Sequence, residues 1–387
     1  YTPLFLTAML LLPTLALICA PLSSAFRVDL FQNERSNASS IDDETHYILQ
    51  KYAAMSLRHF NKTGEHSNVV NLDFMNKQKR SNGRIHIRPN KYYSGQIEVG
   101  FPPQKANVMF DTGSPDLVLD RNSYNPKKSL TSKNLHKKFD FSYDSLHVYG
   151  HIYTDKVGIG GITGVKAWDV PIGYGKKDFD GDETGGTFGL AFSTAETRGL
   201  DVKQEPFMWA AKKQHLIQSS TYQFTMRPGK KASLNVGKVD LFELGGLITW
   251  SDKNTDKTYW RATVELDGHK IENAILDTGT NLITGPNDKV KELLDKIDGI
   301  DIKQHDDGSY GATYDCKKPP SLNFKVFGQT FKFHEEAMKY GFVGDTCIFA
   351  IKGSPGMEDW LLGTPFFQIA SVILNFDVRR MGFAKYS

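Results

Sequence analysis

The sequence predicts an all-β protein built from two similar lobes, and three observations support this class. Most of the chain after residue 80 consists of short runs rich in Val, Ile, Phe and Tyr, interrupted by Gly, Pro and Asp, which is typical of strands. With 387 residues and 40% apolar side chains, the chain can bury two sizeable cores. The tripeptide Asp-Thr-Gly occurs twice, each time after an apolar run.

The strand-like runs lie at 92–101, 105–113, 138–161, 232–240, 259–266 and 372–385. Clear helices are few. The best candidate covers 286–299, because Pro286 suits a first helical turn, Gly299 suits a helix end, and four apolar residues form one stripe. These four are Val290, Leu293, Leu294 and Ile297.

The two Asp-Thr-Gly sequences belong to a longer repeat. An apolar segment ending in glycine follows each of them, with Gly189 lying 78 residues after Asp111 and Gly363 lying 86 residues after Asp277. The aspartates are therefore 166 residues apart and the glycines 174, so one period of about 170 relates both features. We interpret the repeat as one lobe used twice.

Two similar lobes that face each other would bring Asp111 and Asp277 together at a pseudo-twofold axis. Two carboxylates in one small site do not both ionise readily, so one holds the proton that the other lacks. One could then take a proton from a water molecule while the other protonates a carbonyl oxygen. This chemistry needs no covalent intermediate, metal ion or cofactor.

Each motif also contains a threonine, a glycine and a second hydroxyl that would support its aspartate. The glycine lets the backbone turn tightly beside the carboxylate. The threonine could bond across the lobe boundary, and the hydroxyl could donate to the carboxylate. A lone Asp-Thr-Gly is more often a simple turn, but two copies in register favour a paired site. The supporting residues are Thr112, Gly113 and Ser114 in the first motif and Thr278, Gly279 and Thr280 in the second.

With these motifs the chain resembles the pepsin-like aspartic peptidases, most of all a secreted fungal member. The resemblance runs from about Lys91 to Ser387 and rests on both Asp-Thr-Gly loops and on segments 258–266, 277–286 and 360–384. The aspartic protease pair is itself the reference case for the shared proton. The resemblance implies two β lobes around a deep cleft, endopeptidase cleavage of extended polypeptides at acid pH, no cofactor and a monomer.

The resemblance also assigns subsite and flap residues. Met109 and Ile275 match positions that line the subsites beside the scissile bond, so bulky apolar side chains are the expected preference. The family's flap tyrosine corresponds to Tyr143 or Tyr149, and counting back from 155–161 favours Tyr143. A tyrosine that merely packs in a hairpin is the alternative.

Some residues depart from the family pattern. Pro115 stands where the family usually has Ser or Thr, and Val118 stands where a Trp commonly bonds the flap tyrosine. The expected flap glycines are absent from 144–146. An active endopeptidase is the leading hypothesis, and a catalytically weak homologue that binds peptides is the alternative.

The first 80 residues predict export and processing. Residues 1–25 are interpreted as a signal peptide, because an uncharged apolar run precedes the small residues Ser23, Ser24 and Ala25. A signal anchor is the alternative, since the run could just span a bilayer. We expect secretion, with the cell surface and the vacuole as further locations. Asn37 and Asn61 are potential glycosylation acceptors.

A prosegment is predicted at 26–80, with processing after Lys79 and Arg80. The N-terminal lobe would then cover 81–227 and the C-terminal lobe 228–387. Residues 45–60 have helical apolar spacing, so they could form a removable cover of the cleft or a solvated linker. In the family, the prosegment plugs the cleft and often presents basic side chains to the aspartates. The candidates here are Lys51, Arg58 and His59.

The remaining cysteines agree with export. Cys19 would leave with the signal peptide, and a secreted chain most simply joins the remaining pair, Cys316 and Cys347, in a disulfide. Two buried free thiols are the alternative. The pair also resembles the disulfide that the family widely shares. Neither cysteine has neighbours with metal-ligand spacing, so no zinc site is expected.

The charge of the chain does not favour polyanionic partners. After Arg80 there are 39 Lys and Arg against 37 Asp and Glu. The basic stretch at 126–138 lacks the aromatic residues of a nucleic-acid surface and is expected to be a solvated loop. We expect polypeptide substrates, the prosegment as an intramolecular inhibitor, no nucleic acid and no stable membrane insertion.

Overall fold

The computed structural model describes residues 26–32, 41–65, 67–72, 93–141, 148–161, 164–177, 185–194, 198–228 and 231–387. The predicted signal peptide, Asn37, Lys79, Arg80 and Tyr143 lie outside these ranges. Within them the chain is mostly strand with a few helices, so the predicted all-β class is confirmed.

The first twelve strands are β1 (Phe26–Gln32), β2 (Tyr93–Val99), β3 (Gln104–Asp111), β4 (Leu117–Asp120), β5 (Lys133–Asp140), β6 (Val148–Ile159), β7 (Val165–Lys177), β8 (Gly186–Gly189), β9 (Thr221–Thr225), β10 (Ala232–Val236), β11 (Thr249–Trp250) and β12 (Arg261–Leu266). The others are β13 (His269–Leu276), β14 (Ile283–Pro286), β15 (Asp301–Gln304), β16 (Tyr310–Asp315), β17 (Leu322–Val326), β18 (Gln329–Phe333), β19 (Lys339–Val343), β20 (Thr346–Phe349), β21 (Ile351–Ser354), β22 (Leu361–Leu362), β23 (Ser371–Asn375) and β24 (Arg380–Ala384). The α-helices are α1 (Ile41–Thr63), α2 (Phe207–Lys213), α3 (Asn287–Leu294), α4 (Glu335–Met338) and α5 (Thr364–Phe367), and short 3-10 helices cover Pro126–Lys128 and Leu241–Glu243.

The strands form three sheets. The largest has thirteen strands in the order β11-β24-β23-β9-β10-β1-β2-β3-β8-β4-β7-β6-β5. A seven-stranded sheet has the order β18-β17-β12-β13-β22-β14-β21, and a four-stranded sheet has the order β15-β16-β20-β19. The first Asp-Thr-Gly loop therefore follows a strand of the largest sheet, and the second follows a strand of the seven-stranded sheet.

The same local arrangement surrounds both loops. Strand β3 runs parallel to β8, with Asp111 opposite Gly189, and β4 returns antiparallel to β8. In the second half, β13 runs parallel to β22 and β14 returns antiparallel to β22. Strands β4 and β14 then pair in parallel with β7 and β21. The repeat seen in the sequence is thus a repeat of strand topology.

The two trailing glycines are required by close backbone contact. A Cβ atom on Gly189 would lie 2.5 Å from the carbonyl carbon of Pro115, and one on Gly363 would lie 2.9 Å from the carbonyl carbon of Thr280. In each half the loop that carries the aspartate folds directly over its glycine. This contact explains why glycine recurs about 80 residues after each aspartate.

The described residues at 26–32, 41–65 and 67–72 are an integral part of the packing. Strand β1 pairs antiparallel with β10 on one side and with β2 on the other. Helix α1 buries about half of its residues, and its apolar face belongs to the same cluster as Ile275, Tyr259 and Leu361. Further along, Val70 forms a β-bridge with Met357. The alternative of a solvated linker at 45–60 is therefore wrong.

Two local expectations need correction. The helix expected at 286–299 covers only Asn287–Leu294, because the chain tightens into a turn in which the Ile297 amide donates to the Leu294 carbonyl at 3.0 Å. The basic stretch at 126–138 is not all loop, because Lys133–Asp140 forms β5. Its lysines remain exposed, since the strand turns them away from the core.

Cys316 and Cys347 form a disulfide. It joins the end of strand β16 to β20 across the four-stranded sheet, which leaves no free thiol at these positions. None of the helices in the described ranges combines the length and the apolar character needed to cross a membrane.

Replacing Gly363 by alanine should destabilise the fold by about 3 kcal/mol, because the new Cβ atom would overlap backbone that cannot move independently. The measurement is thermal unfolding at a fixed scan rate. Gly246→Ala is the matched control, since no atom lies within 4 Å of a Cβ built there. Equal unfolding temperatures for the two variants would contradict this account of the repeat.

Candidate active site

The first aspartate is held by its own loop. Asp111 ends β3 and is 1% exposed. Its Oδ1 accepts a hydrogen bond from the Gly113 amide at 2.9 Å, and its Oδ2 accepts one from the Ser114 hydroxyl at 2.5 Å. Both oxygens of the carboxylate are therefore oriented before any ligand binds.

The second aspartate has the same environment. Asp277 follows β13 and is fully buried. The Gly279 amide donates to its Oδ1 at 2.8 Å, and the Thr280 hydroxyl donates to its Oδ2 at 2.6 Å. The predicted supporting residues therefore contact the carboxylates in matching ways.

The two threonines interlock the loops. The Thr112 amide donates to the Thr278 hydroxyl and the Thr278 amide donates to the Thr112 hydroxyl, both at 2.9 Å. Each hydroxyl in turn donates to a backbone carbonyl of the opposite half, at Leu276 and Phe110. These buried bonds fix the separation of the two aspartates.

The carboxyl groups meet where the loops cross. A Cβ atom on Gly113 would lie 2.5 Å from Cγ of Asp277, and one on Gly279 would lie 2.6 Å from Cγ of Asp111. Each glycine thus lies against the aspartate of the other half, and the aspartates are near enough to hydrogen-bond to each other. The structure brings together the pair that the repeat predicted.

Helix α1 covers this pair with a lysine and a tyrosine. Lys51 Nζ lies 2.9 Å from Asp111 Oδ1 and 3.0 Å from Asp277 Oδ2. The Tyr52 hydroxyl donates to Asp277 Oδ2 at 2.9 Å. Of the three basic candidates, Lys51 is the one that contacts the aspartates. While α1 is docked, the side chains of Lys51 and Tyr52 fill the space beside the two carboxylates.

The pair is electrostatically asymmetric. Burial raises the pKa of Asp111 to about 6, with Lys51 opposing and Asp277 reinforcing the rise. Burial also favours neutral Asp277, but Lys51 and hydrogen bonds from Asp111 and Thr280 outweigh it and lower the pKa of Asp277 to about 2. Burial disfavours the charge of Lys51 as well, yet the two carboxylates raise its pKa. Between these values the pair holds one proton.

The other two basic candidates lie away from the aspartates. The Arg58 guanidinium packs over the Phe141 ring, 4.4 Å from its centroid. Asp116 lies near Arg58 and opposes the lowering of the Arg58 pKa by burial. His59 lines a separate pocket with Asp256. Arg58 therefore anchors the last turns of α1 to its surroundings.

A cavity of about 90 Å³ remains between α1 and the first half of the molecule. Pro115, Val118 and Asp116 line it beside Asp111. Pro115 and Val118, which depart from the family pattern, therefore lie on the wall of the cavity next to Asp111. A valine supplies no hydrogen-bond donor there, and Val118 is itself buried.

The predicted subsite and flap residues are only partly described. Ile275 is fully buried in the apolar cluster that includes α1, and Met109 is 6% exposed on β3 opposite Thr187. Tyr149 lies on β6 and is 43% exposed. Since Tyr143 lies outside the described residues, its assignment stays a prediction.

Sequence reasoning did not single out Tyr52 as a partner of Asp277. In the sequence, Tyr52 is one of the apolar residues at helical spacing within 45–60. Its position next to Lys51 was the available signal. Two adjacent residues in one helical turn can both reach a carboxylate pair that the helix covers.

Two repeated β substructures with interlocked Asp-Thr-Gly loops and a shared proton define a dyad-type acid–base site. Comparison with known proteins agrees. A family profile for eukaryotic aspartyl proteases matches residues 92–386. The chain belongs to this family and is an aspartic endopeptidase by class, as the sequence predicted.

Individual relatives support the assignment. The chain is 32% identical to secreted aspartyl protease 1 of Malassezia globosa, over 92% of this chain and 90% of that protein. It is 29% identical to cathepsin D of Rattus norvegicus, over 76% of this chain and 80% of that protein. It is also 28% identical to a probable inactive secreted aspartyl protease of Malassezia globosa, over 75% and 77%.

Replacing Thr278 by valine should destabilise the protein by about 1–3 kcal/mol, because it leaves the buried Thr112 amide and Phe110 carbonyl without their partner. Thr278→Ser is the matched control, since it keeps the hydroxyl. Thermal unfolding of both variants is the measurement. A valine variant as stable as the serine variant would show that the interlocking bonds contribute little.

Proposed function

We propose that the chain is a secreted aspartic endopeptidase that activates a water molecule between Asp111 and Asp277. The observation that carries the proposal is the buried pair of carboxyl groups, each fixed by its own loop and together holding one proton. Secretion is supported by the similarity to the secreted aspartyl protease of Malassezia globosa and by the disulfide, which persists in oxidising compartments.

The reaction requires one ionised and one protonated carboxyl group in the pair, and we assign these roles to Asp277 and Asp111. Ionised Asp277 accepts a proton from the water molecule while the water oxygen forms a bond to the peptide carbonyl carbon. At the same time, protonated Asp111 donates its proton to the carbonyl oxygen. In the second step, a hydroxyl of the resulting gem-diol returns a proton to Asp111 as the C–N bond breaks. The leaving nitrogen takes the proton from Asp277, which restores the starting state.

Residues 26–80 act as an inhibitory prosegment in this proposal. Lys51 supplies a cation to the aspartates and α1 blocks the approach of a polypeptide. Cleavage after Arg80 then leaves the two lobes at 81–227 and 228–387. Removal of β1 exposes the facing edges of β10 and β2.

Substrate preference is proposed to be apolar beside the scissile bond. Ile275 contributes to the cluster that receives the apolar face of α1, so departure of the helix uncovers apolar surface next to Asp277. Burial of a bulky substrate side chain there would contribute about 1.5–3 kcal/mol. Met109, two residues before Asp111 on β3, is proposed to bind a bulky apolar side chain on the other side of the scissile bond.

The alternative is a weak homologue that binds peptides. It is favoured by Pro115 and Val118 and by the similarity to a relative named probable inactive. Both aspartates and all six supporting residues are nevertheless present here, so the active enzyme is the better-supported reading.

The mature chain should cleave denatured globin between about pH 3 and 6, and pepstatin should block the cleavage. Asp111→Asn and Asp277→Asn should each lower the rate by about 10²–10⁴-fold, because each removes one proton-transfer group. Asp298→Asn, on an exposed position of the second half, is the control. An inactive wild-type protein that still binds pepstatin would favour the peptide-binding alternative.

Acid should release α1. Lys51 lowers the pKa of Asp277, which is about 2 under the helix, so the ionised carboxylate stabilises docking of α1. This stabilisation is lost as the pH falls toward about 2. Lys51→Met should weaken docking by about 3–5 kcal/mol, because it leaves a buried carboxylate unpaired.

The measurement is the initial rate of peptide cleavage by the intact chain, divided by the rate of the mature chain at the same pH. The ratio should rise on acidification and should be high at every pH for Lys51→Met. Lys62→Met removes the same charge from the exposed end of α1 and serves as the control. A low, pH-independent ratio in Lys51→Met would contradict the inhibitory role of Lys51.

N-terminal sequencing of the processed chain should find Ser81 as the first residue.

A further inference from the structure

A second cation of the molecule is buried under α1, away from the aspartate pair. Lys352 lies on β21, at the edge of the seven-stranded sheet and next to β14. Its side chain is 0% exposed. A lysine is almost never fully buried unless it is paired, so its partners decide what it does.

The main partner of Lys352 comes from the helix. Lys352 Nζ donates to Asp42 Oδ1, and His305 Nδ1 lies 3.3 Å from the same oxygen. Asp307 Oδ2 is more distant from Nζ, at 4.0 Å. Two basic side chains of the second half therefore hold a carboxylate that belongs to residues 26–80.

A neighbouring contact also joins an acidic residue of α1 to a donor in the second half of the molecule. The backbone amide of Asn281, just beyond the second Asp-Thr-Gly loop, donates to Glu44 Oε1 at 3.3 Å. Acidic residues in the first turn of a helix also suit the helix dipole. That effect does not require Lys352, however, and it does not explain a buried lysine aimed at the helix.

The site lies within reach of a substrate bound at the aspartates. Asp42 precedes Lys51 by nine residues, which corresponds to about 13 Å along a helix axis. An extended polypeptide covers that distance in about four residues. A peptide that followed the path of α1, with its scissile bond at the Lys51 position, would thus place one of its side chains beside Lys352.

We propose that Lys352, assisted by His305, forms a subsite for an acidic substrate side chain, and that Asp42 occupies this subsite while α1 is docked. The inference rests on the proposed function. When α1 leaves, Lys352 loses its closest anion and keeps only the ion pair with Asp307 among the described contacts. A substrate Glu or Asp then takes the place of Asp42.

Mature wild-type protein is tested on peptides that share one apolar scissile pair and carry Glu, Gln or Lys at each of about four positions on either side. The assay is run at about pH 5, where a free Glu is mostly ionised. At one position, kcat/KM for the Glu peptide should exceed that for the Gln peptide by about tenfold, the size expected of one hydrogen bond to a charged group. The Lys peptide should be cleaved more slowly than the Gln peptide.

Three variants test the assignment to Lys352. Lys352→Met should reduce the Glu-to-Gln ratio of kcat/KM to about 1, because the contact with the charged side chain is lost. Lys352→Arg should keep the ratio. Lys332→Met, on the exposed face of β18, should leave it unchanged.

The outcomes separate the two proposals. A wild-type protein that cleaves the peptides with no preference for Glu at any position overturns the acidic subsite, and so does a preference that persists in Lys352→Met. The first comparison needs no variant, so it decides even if Lys352→Met fails to fold. Failure of the proposed function looks different: none of the peptides would be cleaved, or pepstatin would not inhibit cleavage.

Discussion

Burial of two carboxyl groups against each other is the constraint on which the rest of the structure depends. Neither group can leave its position, because the interlocked threonine hydroxyls and amides tie one loop to the other. Burial and mutual repulsion then make the pair hold a proton. The trailing glycines follow from the same requirement, since each aspartate loop must fold tightly over the strand that supports it.

Helix α1 supplies the positive charge that stabilises the buried carboxylate pair. A buried pair with one negative charge is costly without a counter-charge, and Lys51 supplies that charge while Tyr52 adds a hydrogen bond. Around this centre, Asp42 at the start of α1 contacts Lys352 and His305, and Arg58 near the end of α1 lies close to Asp116. The helix therefore carries, in order, charges that complement the surface beneath it. In our proposal a substrate meets that same surface.

Sequence reasoning was most reliable where a local requirement repeats. Asp111 and Asp277, with the trailing glycines, could be found because both halves of the molecule meet the same steric and electrostatic demands. It was less reliable at element ends. The helix at 287–294 stops before Gly299 because a local turn forms first, and β5 forms in a basic stretch because pairing with β6 outweighs the loop-like composition.

The strand-rich class, the duplication and the two candidate aspartates can be predicted from the amino-acid sequence, because each depends on a short motif or on a fixed spacing. The folded structure was needed to show which cation covers the aspartates, that Tyr52 joins it, and that Lys352 holds Asp42. The physical reason is distance along the chain. Lys51 and Asp277 are 226 residues apart, and Asp42 and Lys352 are 310 apart, so no local pattern links them until folding places them in contact.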